Sequence, residues 1–139
     1  MPAIAALHAA DPRKELQKKV GDISDLKLFH NAIMVAVYIR PTTMKLKGGH
    51  SLIMPDKVQD EDRYQGKIGL VVAKGPIAFL DDDRTQFHGQ DVEIGEWVVF
   101  RPSDGFQLTL VRPGQEAVLC RLLVEADIRA RVTQPDTIW

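Results

Sequence analysis

Between Asn31 and Val132 the chain breaks again and again into short apolar runs. Each is closed by glycine, proline or a charged stretch, and no long helical period separates them. AIMVAVYIR (32–40) is rich in β-branched residues and apolar on both faces, which predicts a strand covered on both sides. GKIGLVVAK (66–74) and EWVVFR (96–101) predict two more, the second entered through Ile94-Gly95 and left at Pro102. PSDG (102–105) has turn composition. FQLTLV (106–111) alternates Phe106, Leu108 and Leu110 with Gln107 and Thr109, the pattern of a half-buried strand. Pro113-Gly114 turns the chain again, and AVLCRLL (117–123) and ADIRARV (126–132) complete the set. Short strands joined by Gly/Pro turns predict an all-β fold, a small antiparallel barrel or sandwich.

One helix stands apart from this pattern. In DPRKELQKKVG (11–21), Asp11 suits the N-cap, Pro12 the first helical position and Gly21 the exit. Leu16 and Val20 lie four apart and would share a narrow apolar stripe. A helix this short is marginal alone and must dock on something. The expected organisation is an N-terminal extension with a short helix (1–25), a β domain (26–132) with a long loop at 42–65, and a C-terminal tail (133–139).

Composition narrows the function classes. A chain of 139 residues suffices for one domain with a modest core. The net charge of −1 gives no general pull toward nucleic acid or membranes. Cys120 is the only cysteine, so there is no disulfide framework and no Cys-rich zinc site, in keeping with a reducing compartment. No apolar run approaches the roughly 18 residues of a spanning helix. The opening MPAIAALHAADPRK lacks a basic segment before its apolar run and does not read as a secretory signal.

The residues offer little for catalysis. His8, His30, His50 and His88 are scattered without metal-ligand spacing, and His30, just before a strand, reads as structural. Asp81-Asp82-Asp83 lacks the spaced oxygens of a calcium loop and reads as a solvated loop. Gly66-Lys67-Ile68-Gly69 lacks the phosphate-loop pattern, and neither Ser51 nor Ser103 has a nucleophile-elbow context. Cys120 sits in a strand pattern and reads as a small core residue. The expectation is a non-enzyme with no catalytic, cofactor or metal site.

The strongest functional signal is MKLKGGHSLIMPDKVQDEDRYQG (44–66). Connections this long inside a compact domain are usually functional or disordered. Gly48 and Gly49 supply a hinge, while Asp56, Asp60, Glu61 and Asp62 keep the far limb solvated. Leu52, Ile53 and Met54 are an isolated sticky point in this arm. The expectation is a partner-docking arm with no structure of its own, ordered when it binds.

The order of motifs resembles the GroES-type co-chaperonins from about Asp25 to Val132. Leu28-Phe29-His30-Asn31 is similar to the family's opening Pro-Leu-His-Asp. Gly48-Gly49 followed by Leu52-Ile53-Met54-Pro55 resembles its Gly-Gly-Ile-Val-Leu-Pro loop. Tyr64-Gln65-Gly66-Lys67-Ile68-Gly69, leading to Val72-Ala73-Lys74-Gly75-Pro76, is similar to its next strand and exit. Asp91-Val92-Glu93-Ile94-Gly95-Glu96-Trp97-Val98 resembles its Val-Lys-Val-Gly-Asp-x-Val, and Ala126-Asp127-Ile128 its closing Asp-Ile-Leu.

The resemblance implies a GroES-like β-barrel subunit that assembles into a homo-oligomeric ring and caps a chaperonin chamber. It implies that Leu52, Ile53 and Met54 dock on the chaperonin's apical domains, with Gly48 and Gly49 as the flexible lead-in. First and last strands of neighbouring subunits pair in that family, which would bring Phe29, Ile33, Ile128 and Val132 to the subunit interface. The chain is also similar to divergent co-chaperonin-like proteins carried by bacteriophages, which serve capsid-protein folding. That implies residence in the cytoplasm of a bacterial host. The alternative is a virion protein that decorates or cements a capsid with the same barrel and arm.

Overall fold

The computed structural model describes residues 6–7, 11–39, 43–46, 51–53, 66–80, 87 and 89–135. Helix α1 spans Pro12–Val20. The Asp11 carboxylate accepts the Arg13 N–H at 3.0 Å, and Gly21 closes the helix at φ 65°. The cap, the proline and the glycine all act where their chemistry predicts.

Among the described residues the strands are β1 (Ala6–Leu7), β2 (Ala32–Val37), β3 (Thr43–Leu46), β4 (Ser51–Ile53) and β5 (Ile68–Lys74), then β6 (Trp97–Val99), β7 (Phe106–Leu110), β8 (Val118–Val124) and β9 (Ala130–Val132). They form two antiparallel sheets. The larger runs β7-β8-β2-β5-β6-β9, and the smaller runs β1-β3-β4. The fold is therefore small, mostly antiparallel β, with one short helix, as the turn-punctuated pattern predicts.

β2 is the axis of the larger sheet, paired with β8 on one side and β5 on the other. Its alternation feeds two cores. Ile33 and Val35 pack with Val71, Val98, Phe100 and Leu123. Met34 and Ala36 pack with Val20, Val72, Val118 and Cys120. Both faces are covered, as the unbroken apolar run predicts. Each of these large side chains contributes about 1.5–3 kcal/mol by leaving water.

Helix α1 lies against this second face. Val20 is buried in that core, and Leu16 packs both there and against the cluster of Tyr38, Ile68, Leu70 and Trp97. The Arg112 guanidinium donates to the Val20 carbonyl at 2.6 Å, satisfying one of the carbonyls left open at a helix end.

Two predictions need correction. The run 126–132 is not all strand, because Glu125–Asp127 forms a 3-10 turn and only Ala130–Val132 pairs, with β6. In β7, Leu108 and Leu110 are half-buried, but Phe106 is 57% exposed at the sheet's end strand.

Candidate functional site

The arm leaves the larger sheet between β2 and β5. Its neck is built from the residues at the end of β2 and the start of β5. The Tyr38 N–H donates to the Ile68 carbonyl at 3.0 Å, one step beyond the Val37–Gly69 pair. Tyr38 meets Trp97 edge to face, ring centres 5.4 Å apart at 72°, and both rings are buried. The Phe100 N–H donates to the Lys67 carbonyl at 2.9 Å, fixing the return limb. Gly69 is obligatory here: a Cβ would stand 2.7 Å from the Val35 side chain and 3.0 Å from the Phe100 ring.

Beyond the neck the arm has structure, contrary to the expectation drawn from its composition. Thr43–Leu46 and Ser51–Ile53 pair antiparallel, Thr43 with Ile53, Met44 with Leu52 and Lys45 with Ser51. The hairpin has a third strand, since Ala6 pairs with Leu46 and Leu7 with Lys45. The sequence signal was weak because β1 is two residues long and β4 three, too short for a period to show. Leu52 and Ile53 therefore sit on β4, an end strand of the smaller sheet. Met54, Gly48 and Gly49 lie outside the described residues, as do His8, His50, His88, Asp81-Asp82-Asp83 and Trp139.

The residues implied at a subunit interface divide. Phe29 is 67% exposed. Ile33 is completely buried within its own chain and has no surface to offer a neighbour; this corrects its implied role. Its strand, β2, is hydrogen-bonded on both sides, so its backbone has no free edge for another subunit. Ile128 and Val132 are half-buried, packed against the cores that contain Phe100 and Trp97 respectively. β9, which carries Val132, is an end strand of the larger sheet.

Two other features were missed by sequence reasoning. Asp104, in the turn before β7, and Arg121, on β8, are both buried. Arg121 donates from Nε to the Asp104 carbonyl at 2.6 Å and from Nη2 to the Pro102 carbonyl, with its guanidinium 5.9 Å from the Phe100 ring centre. The Asp104 carboxylate accepts from Arg101 Nη2 at 2.9 Å, from Nε and from the Arg101 N–H. The Arg101 bonds hold the Asp104 carboxyl below its ordinary value. Phe79 has a positive φ of 59° and donates its N–H to Glu125 Oε2 at 2.8 Å, with its ring edge to face against Phe87 at 5.2 Å. Ile77 and Leu80 beside it are exposed.

His30 acts through its backbone, its carbonyl accepting the Ile77 N–H at 3.2 Å from a left-handed turn, φ 56°. Cys120 is fully buried, as predicted, and burial pushes its thiol up to about 11. Among the described residues no group of three His, Cys, Asp or Glu is placed to hold a metal ion, and no helix is long and apolar enough to cross a membrane. Compared with models of known protein families and with curated proteins, the chain matches none.

Proposed function

We propose that this chain is a co-chaperonin-like protein. Several copies form a ring and cap a chaperonin chamber through the arm, assisting protein folding. The observation that carries the reading is the arm itself: a hairpin bearing Leu52 and Ile53 on its end strand, branching from a hydrogen-bonded neck between two core strands. The ordered series of motifs that resemble the GroES-type family, from Leu28 to Ile128, supports it.

The energetics suit a cap that must let go. One arm burying Leu52, Ile53 and Met54 gains only a few kcal/mol, partly offset by ordering costs. Several arms on one ring act through high effective concentration, so a weak single contact becomes a firm collective one. A change in the chaperonin's geometry then releases all of them together. Within this reading, Phe29 and the β9 edge are the interface candidates, and Ile33 is core.

Negative-stain images of the purified protein test the assembly. The reading predicts free rings. A monomer in solution that appears only on phage particles would favour a capsid-decorating role for the same fold.

A further inference from the structure

We infer that the N-terminal extension is a strap that orders the arm: β1 supplies the third strand of the arm's sheet, while α1 fastens that strand to the body. Two observations meet here. First, β1 pairs with β3, so β3 is flanked by β1 and β4, and among the described residues β4 is the hairpin strand at the sheet's end. Second, α1 is anchored on the larger sheet by buried Val20, by Leu16 and by the Arg112 bond to the Val20 carbonyl. From Leu7 to the cap at Asp11 is four residues, a reach of at most about 14 Å.

The physical need is plain. A two-stranded hairpin is marginal in water, and a third strand is what brings such a unit into the stable range. The arm's own strands are four and three residues long, so their ladder is short. β1 adds backbone pairing on the only edge of β3 that β4 does not use. Because α1 is fixed, β1 is held near β3 at high effective concentration. The arm is thus held at its neck by Tyr38 and Ile68 and along β3 by the strap. This ordering acts before any partner arrives and does not depend on what the arm docks to.

The test is amide hydrogen exchange on the full chain carrying Ala6→Pro and Leu7→Pro. Proline removes the donor that a strand needs and is excluded from paired positions. Exchange of peptides covering 43–46 and 51–53 should rise about tenfold or more, while β2, β5 and β8 keep wild-type protection. Unchanged exchange in the arm overturns the strap. A cysteine pair checks the register independently of folding losses. Residues directly opposite on antiparallel strands are close enough to bridge, whereas a one-residue offset puts them on opposite faces. Ala6→Cys with Leu46→Cys should cross-link under mild oxidation and slow exchange at 43–46. Ala6→Cys with Lys45→Cys should not cross-link. Equal cross-linking of both pairs, or of neither, overturns the inference. Chaperonin binding is absent from both readouts, so the strap and the docking role fail separately.

Discussion

The Tyr38 N–H is bonded to the Ile68 carbonyl at 3.0 Å, so the segments that enter and leave the arm are joined at its base. Trp97 lies edge to face against the Tyr38 ring and is fully buried. Trp97→Ala should therefore cost about 3–5 kcal/mol, the range for emptying a large aromatic site. Trp97→Phe should cost clearly less. Urea unfolding with an unchanged m-value measures both. A loss below about 1 kcal/mol for the alanine variant would show that the neck does not depend on this ring.

Gly105 and Gly114 separate two reasons for glycine. Both have positive φ, at 63° and 72°. A Cβ at Gly114 meets nothing within 4 Å, while one at Gly105 would stand 2.0 Å from the Leu122 carbonyl oxygen. Gly114→Ala should cost only the left-handed strain, about 1–2 kcal/mol. Gly105→Ala adds a backbone clash and should cost about 3 kcal/mol or more. Equal losses in denaturant midpoints would refute the distinction.

Asp104 predicts an acid limb. Its carboxyl is held below the ordinary 3.8 chiefly by the Arg101 bonds. A depressed folded value means the stabilisation is complete above 3.8 and is lost as pH falls through the lower folded value. Asp104→Asn should lower stability at neutral pH and flatten the decline on acidification. Urea midpoints measured across that range would contradict the assignment if wild type and variant stayed parallel.

Cys120 predicts a silent thiol. It lies on β8 opposite Ala36, fully buried in the core that α1 covers, and burial pushes its ionisation up to about 11. The thiolate is the reactive form, so at mildly alkaline pH a thiol reagent should modify the native protein at least about 100-fold more slowly than the unfolded chain. Modification of native protein at the unfolded rate would place the residue outside the core.

The body of this fold was legible because its residues carry strong local signals. The unbroken Ala32–Val37 run announced a strand covered on both faces, and Asp11, Pro12 and Gly21 marked the helix to within a residue. The arm was not legible. Its lysines, glycines and acids have the composition of an unstructured segment, and what orders Thr43–Leu46 is pairing with Ala6–Leu7, far away in sequence. Ile33 shows the same limit from the other side. Membership of the first core strand was readable, but its position inside the sheet rather than at an edge depends on β8, some 90 residues later. The Arg121 network also escaped notice, because a basic residue in an apolar run gives no hint of which carbonyls it will meet.

Leu52 and Ile53 lie on the arm's end strand, where we propose that they meet a chaperonin. The most direct measurement is capture of the full chain by a purified chaperonin with and without ATP, for wild type and Ile53→Asp. A charge at the centre of an apolar contact should abolish docking without disturbing the larger sheet. Wild type should be captured in a nucleotide-dependent way, and the variant should not be captured. Absence of wild-type capture in every nucleotide state, or equal capture of Ile53→Asp, would contradict the proposed docking.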